Sequence, residues 1–125
     1  MSGGFVSAYV DLAAGADAAV IGGVLLDGAV APGIENCLGA VSLAPHTPQT
    51  DTLSHSSSEV MFVAQGTGVL VTDDGDMPLR PGVAIFIPAH AWHSLRNTGD
   101  APLISVFSFP TPYRPETVTR VSGSA

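Results

Sequence analysis

The stretch Leu53-Ser-His-Ser-Ser-Ser-Glu-Val-Met-Phe-Val-Ala-Gln-Gly66 places a histidine, His55, four residues before a glutamate, Glu59. The serine-rich surroundings disfavour a helix. On a straight strand the two side chains would share a face but lie ~13 Å apart, at ~3.3 Å per residue. Two ligands with bonds of ~2.1 Å cannot reach one metal ion across that gap. The pattern therefore predicts either a turn at Ser56-Ser57-Ser58 that brings both residues to one metal ion, or a surface loop with a solvated histidine and glutamate.

A second informative stretch is Gly82-Val-Ala-Ile-Phe-Ile-Pro-Ala-His-Ala-Trp-His-Ser-Leu-Arg-Asn97. Together the two stretches resemble the two motifs of the cupin superfamily, G(x)5HxH(x)3-4E(x)6G and G(x)5PxG(x)2H(x)3N. The residues that stand at motif positions with the motif spacing are His55, Glu59, Gly66, Gly82, Pro88, His93 and Asn97. This resemblance implies an all-β, single-domain jelly-roll barrel, the double-stranded β-helix of the cupins.

The rest of the chain agrees with an all-β fold. Glycines and prolines, 14 and 10 in number, divide it into short apolar runs, a spacing typical of strands in a sandwich or barrel. The predicted strands are Ile34–Leu43, Glu59–Ala64, Val69–Thr72, Val83–Ile87, His93–Arg96 and Leu103–Phe109. Asp73-Asp74-Gly75-Asp76 predicts a hairpin turn, and only Asp11 to Ala19 has helical character. We expect residues 1–33 to join the barrel, residues 34–112 to form its core, and residues 113–125 to be a loose polar tail.

The resemblance implies a metal centre built from His55, Glu59 and His93. Two imidazoles and one carboxylate are the ligand set of the facial triad of non-haem Fe(II) oxygenases, which leaves coordination positions open for substrate and O₂. Fe(II) is therefore the favoured ion, while manganese, nickel, cobalt and zinc stay open.

Two departures from the cupin motifs affect this centre. Leu53 stands where the first motif has its first histidine, which indicates either an opened coordination sphere beside an apolar substrate or a degenerate cupin without metal. His90 stands where the second motif has glycine, and we expect a turn residue with positive φ there, since histidine tolerates that conformation better than most residues. His90 and His46 are possible additional site residues; we expect His46 to be solvated.

Alternation along two strands suggests the walls of a substrate pocket. Met61 shares the face of Glu59, and Phe107 shares that of Leu103 and Phe109, so these side chains should point inward. Leu53, Met61 and Phe107 are therefore the candidate pocket residues, with plain core packing as the alternative for each.

Composition excludes several classes of partner. The chain has four arginines, no lysine and a formal net charge of −7. It therefore lacks the positive charge that nucleic acids and anionic membranes require. A single cysteine, Cys37, excludes an internal disulfide and is expected to be a buried hydrophobe. The lack of a disulfide leads us to expect the reducing cytoplasm, and the extreme N-terminus lacks the lysine or arginine of a signal peptide.

The sequence leaves two functions open. One is a metal-dependent enzyme for a small, mainly apolar or oxygenated metabolite, acting either as an O₂-using oxygenase or as a non-redox lyase, isomerase or cyclase. The other is a non-catalytic small-molecule-binding cupin. The resemblance further implies a homodimer, to which the apolar N-terminal third is expected to contribute.

Overall fold

Ten antiparallel strands form two five-stranded sheets in the computed structural model, which describes residues 4–13 and 18–120. The strands are β1 Val20–Leu26, β2 Cys37–Leu43, β3 Thr52–His55, β4 Glu59–Gln65, β5 Gly68–Thr72, β6 Gly75–Leu79, β7 Ala84–Ile87, β8 His93–Asn97, β9 Leu103–Phe109 and β10 Thr117–Arg120. Sheet one has the order β1-β2-β9-β4-β7, and sheet two has the order β10-β3-β8-β5-β6. The predicted all-β jelly roll is confirmed.

Strand β4 shows why the sequence folds into facing sheets. Its side chains alternate, so Glu59, Met61 and Val63 are buried while Val60 and Phe62 are exposed. The inward side chains of both sheets pack in one core, whose buried members are Leu43, Met61, Val63, Leu70, Leu79, Ile85, Ile87 and Leu103. Each such side chain contributes about 1.5–3 kcal/mol when fully buried, so this core fixes the distance between the sheets.

Two predicted turns are confirmed, and each has a structural role. Asp73 and Asp74 form the tight turn of the β5–β6 hairpin, with Thr72 paired to Gly75. The serine turn at residues 56–58 is a bend between β3 and β4, which belong to different sheets. This bend therefore carries the chain from one sheet to the other immediately after His55.

The six predicted strands correspond to β2, β4, β5, β7, β8 and β9 with ends within three residues, but four strands were missed. The loose tail was a wrong expectation for Thr117–Arg120, which forms β10 and pairs with β3. Strand β1 was missed because Gly22 and Gly23 interrupt its apolar pattern. Gly22 is required there, since it has φ 110° and an added Cβ would meet the Ala40 carbonyl of β2.

The helical character of Asp11 to Ala19 produces no helix where it can be compared. Residues 11–13 and 18–19 are turn, bend or irregular, and residues 14–17 lie outside the described residues. Over 4–13 and 18–120, the fold offers no helix with the length and apolar character needed to cross a membrane.

Candidate metal centre

Three strands bring His55, Glu59 and His93 together between the sheets. His55 is the last residue of β3, Glu59 begins β4 after the serine turn, and His93 begins β8. Leu53 is directly opposite His93 in the β3–β8 pair, which sets the register between the two histidine strands. All three side chains are buried, so the cluster is screened from bulk water.

The separations within this cluster suit a single cation. Glu59 Oε1 lies 3.4 Å from His55 Nε2 and 3.4 Å from His93 Nε2, and one candidate ligand atom from each residue lies within 4.8 Å of the others. Ligand atoms bound at ~2.1 Å are ~3.0 Å apart at right angles and ~3.4 Å apart in a tetrahedral arrangement. The two distances from Glu59 to the histidines therefore match those between neighbouring ligands of one metal ion.

Hydrogen bonds behind the two imidazoles decide which nitrogen faces the centre of the cluster. His93 Nδ1 lies 2.9 Å from the Ala91 carbonyl, which can only accept, so Nδ1–H donates. His55 Nδ1 lies 2.8 Å from Thr117 Oγ1, whose own proton goes to the Pro115 carbonyl at 3.0 Å. In both neutral rings the proton is therefore on Nδ1, and Nε2 presents a lone pair to the cluster, as metal-binding histidines do.

The unpartnered carboxylate oxygen of Glu59 is independent evidence that a cation binds at this cluster. Glu59 Oε1 is a buried oxygen without a hydrogen-bond partner within the described part of the chain. Leaving a buried acceptor unsatisfied costs about 1–3 kcal/mol, and more for a charged group. Three lone-pair atoms thus converge with no proton among them, and a metal cation satisfies all three at once.

The two histidines differ in their affinity for protons. Burial lowers the pKa of His55 below its ordinary value, and the opposing Glu59 charge does not compensate. Burial also lowers the pKa of His93, but the neighbouring Glu59 carboxylate and the Ala91 carbonyl that accepts from Nδ1–H outweigh it and leave a net rise. His55 is therefore held neutral and ready to donate its lone pair, whereas His93 more readily takes a proton.

The cluster forms part of the wall of a cavity of about 650 Å³. The three side chains expected as pocket walls, Leu53, Met61 and Phe107, all line it. Most of the remaining lining is also apolar, including Val24, Val41, Leu43, Leu70, Ile87 and Phe109. Phe107 can lie in this wall because Gly39 is opposite: a Cβ on that glycine would collide with the Phe107 ring.

His46 and His90, the possible additional site residues, lie outside both the described cluster and the cavity lining. The His46 side chain is 65% exposed and contacts Asp100 at 2.7 Å. His90 has φ 67°, as expected for a turn residue, and its backbone N–H donates to the His55 carbonyl at 2.7 Å. His90 therefore acts on the site through its backbone, by fixing the end of β3.

Two residues of the site escaped the sequence analysis. Thr117 is opposite His55 in the β3–β10 pair, and its threonine-valine-threonine context was a signal for a strand. Arg114 is one of the exposed residues that line the cavity. No local pattern marks Arg114, because only the tertiary fold brings it there.

Comparison with known proteins identifies the family. A model described as the cupin domain matches residues 39–109. Among curated proteins, an uncharacterized protein of Methanocaldococcus jannaschii is 32% identical over 63 residues, covering 50% of this chain and 50% of that protein. The chain thus matches about half the length of this relative.

Similar solved structures carry the same fold at low identity. The polyketide cyclase RemF from Streptomyces resistomycificus has a TM-score of 0.69 and 22% identity, covering 84% of this chain and 74% of that one. A cupin 2 domain-containing protein from Halorhodospira halophila has a TM-score of 0.72 and 23% identity, covering 82% of this chain and 71% of that one. An oxalate oxidase bound to the substrate analogue glycolate has a TM-score of 0.65 and 24% identity, covering 80% of this chain and 54% of that one. Their different activities show that the likeness is one of fold.

Proposed function

Since this chain belongs to the cupin domain family, we propose that it is a metal-dependent cupin enzyme that acts on a small, mainly apolar or oxygenated metabolite. The proposed ligands are His55, Glu59 and His93. The observation that carries the proposal is the convergence of three buried lone-pair atoms, one of them the unpartnered Glu59 oxygen, on the wall of an apolar cavity. A binding protein for an apolar molecule would have no need to bury this costly cluster.

The favoured chemistry is that of a non-haem oxygenase. Three protein ligands leave positions for substrate and O₂ on a bound Fe(II), which would supply O₂ activation. Leu53 supports this choice, because it lines the cavity opposite His93 without adding a fourth ligand. The apolar walls hold the substrate body and exclude water. Manganese, nickel, cobalt and zinc are the other candidate ions.

Metal titration tests the ligand assignment. The full chain is stripped of metal, kept anaerobic and titrated with Fe(II), and in parallel with the other four ions. We expect one equivalent to bind to the wild type, and His93→Ala to weaken binding by more than about a hundredfold, since loss of a residue that merely supports a ligand costs about 10- to 100-fold. His46→Ala is the matched control, because that histidine is exposed and outside the cavity. Wild-type affinity in His93→Ala would contradict the assignment.

O₂ consumption by the Fe(II)-loaded protein, measured with a panel of apolar and oxygenated metabolites, tests the chemistry. Substrate-dependent uptake is expected for an oxygenase. Turnover without uptake would indicate a lyase, isomerase or cyclase, and tight binding that a chelator does not disturb would indicate a non-catalytic cupin.

We also propose a homodimer. Val60, Phe62 and Phe86 are 51%, 47% and 65% exposed on the outer face of sheet one, where Val60 is paired with Phe86. Contiguous exposed apolar groups of this kind mark interaction surfaces. Light scattering at micromolar concentration should give twice the chain mass, and Phe86→Glu should give the monomer mass; a monomeric wild type would refute this.

A further inference from the structure

Arg114 lies in the wall of the cavity that holds the candidate metal centre. Of the lining residues that the structure describes, it is the only arginine, and the chain contains no lysine. It is exposed, so it marks the open side of the cavity.

Arg114 is not engaged with the protein. Arg96 contacts Asp76 at 3.5 Å and Arg120 contacts Asp73 at 2.8 Å, but Arg114 makes no hydrogen bond or ion pair with any described residue. In particular, Asp51, which also lines the cavity, is not within ion-pair distance. A guanidinium has five N–H donors in a planar fork that matches a carboxylate. In Arg114 these N–H donors are available to a group that is not part of the described chain.

The backbone around Arg114 is held at both ends. The Pro112 carbonyl accepts from Gly28 N–H at 2.7 Å, and the Glu116 carbonyl accepts from Ser56 N–H at 2.9 Å. Prolines stand at positions 110, 112 and 115, and each fixes its own φ. Ser56 is in the turn that joins His55 to Glu59, so Arg114 is anchored to the same turn that builds the metal cluster.

We propose that the cavity takes a substrate with an apolar body and one carboxylate, and that Arg114 binds this carboxylate at the cavity mouth while the body extends toward His55, Glu59 and His93. The proposal rests on the proposed function in that it takes this cavity as the substrate site. It deepens that function by naming the substrate class.

The numbers of charges and the character of the walls support this class. One guanidinium matches one carboxylate in a bidentate pair, whereas a phosphate dianion commonly recruits further cations. Part of the cavity wall is aromatic: the ring centroids of Phe107 and Phe109 are 5.7 Å apart, and those of Phe109 and His55 are 4.9 Å apart. A volume of about 650 Å³ is in the range of pockets for small organic ligands.

Calorimetric titration with matched acids and amides tests the proposal. The probes are benzoate, 3-phenylpropionate and cyclohexanecarboxylate, each beside its primary amide, with the full chain in metal-free and Mn(II)-loaded forms. We expect the wild type to prefer at least one acid over its amide. Arg114→Gln should lose about tenfold or more in affinity for that acid and little for the amide, because it removes a charge-assisted bidentate hydrogen bond that only the acid can make. The preference should weaken with rising salt concentration.

Arg80→Gln is the matched control, because it removes the same charge from an exposed arginine that does not line the cavity. Arg114→Lys should retain part of the preference, since it keeps the charge but not the fork. An Arg114→Gln protein that still prefers the acid would overturn the proposal, and so would a wild type that shows no preference or binds none of the probes.

The same samples separate this proposal from the function on which it rests. Mn(II) titration of Arg114→Gln should give wild-type metal affinity. A wild type that binds no metal but prefers the acid through Arg114 would refute the metal-dependent function and leave the carboxylate site standing. A wild type that binds metal but shows no preference for the acid would refute the carboxylate site and leave the metal-dependent function standing.

Discussion

Replacing Thr117 by valine removes a hydroxyl that would not touch the metal ion but orients one of its ligands. Thr117 Oγ1 lies 2.8 Å from His55 Nδ1 and 3.0 Å from the Pro115 carbonyl. Valine keeps the shape and the strand preference of threonine, so β10 should still pair with β3. The substitution therefore changes the hydrogen bonding of His55 with little change in packing.

The size of the effect follows from the two bonds. Without Oγ1, a largely buried Nδ1–H loses its acceptor, which costs about 1–3 kcal/mol of unfolding free energy. The imidazole ring also becomes free to rotate or to move its proton to Nε2, which abolishes the lone pair that would bind the metal. Residues that support histidine ligands in this way contribute about 10- to 100-fold to metal affinity, and we expect a loss in that range for Thr117→Val.

Competition of Fe(II) or Zn(II) between the protein and a chromophoric chelator measures the affinity, and urea unfolding of the metal-free protein measures the stability. Thr117→Ser should restore most of both, because it restores the hydroxyl. Thr119→Val makes the same chemical change two residues further along β10, at an exposed threonine, and should leave metal affinity unchanged. Metal affinity in Thr117→Val within about threefold of wild type would refute the proposed tautomer of His55, since that reasoning requires at least a tenfold loss.

Three further predictions concern the cupin motif positions. Leu53→His should tighten metal binding by about tenfold or more in the same competition assay, because it adds an imidazole beside His93; each ~1.4 kcal/mol gained is a factor of ten. Asn97→Ala should lower the free energy of unfolding in urea by about 2–4 kcal/mol. The reason is that Asn97 is 2% exposed and its side-chain amide donates to three carbonyls and accepts from one N–H. Asn36→Ala, at an exposed side chain, is the control. Gly66→Ala should destabilise more than Gly82→Ala in thermal unfolding: both have positive φ, which costs about 1–3 kcal/mol, but only at Gly66 would a Cβ also meet backbone, that of Pro102 and Leu103. Equal shifts for the two glycines, or an unchanged Asn97→Ala, would contradict these accounts.

Local chemistry made part of this site predictable. If His55 and Glu59 bind one metal ion, their spacing is incompatible with one straight strand and predicts the serine turn. The resemblance to the two cupin motifs then placed His93 with the other two residues. Pocket residues followed from simple alternation, as Met61 and Phe107 illustrate. The turn and the pocket residues needed only strand geometry and residue types, whereas the link to His93 came from the resemblance to the cupin motifs.

The missed strands share a different cause, which is that tertiary context overrode local preference. Gly22 and Gly23 weaken β1 as a sequence signal, but Gly22 is there because β2 approaches too closely for a side chain. Pro78 weakens β6 in the same way, yet β6 is the edge strand of sheet two, where a proline is tolerated. Strand β10 is polar because much of it is exposed. The hydrogen bond that Thr117 Oγ1 accepts from His55 Nδ1–H cannot be inferred without the tertiary fold.

The candidate metal ligands and the residues proposed to bind substrate or to support a ligand lie in different parts of the chain. The three candidate ligands lie within residues 39–109, the part that matches the cupin domain model. Arg114 and Thr117 lie beyond it, in the segment that leads into β10, and this segment is tied to the ligand turn by the bond between Glu116 and Ser56. Substitution of Arg114 would therefore leave the three candidate ligands and their supporting hydrogen bonds in place, whereas substitution of Thr117 would act on His55. On the proposed carboxylate site, a change at Arg114 alone would alter the charge at the cavity mouth, and with it the class of substrate, while the donor set persists.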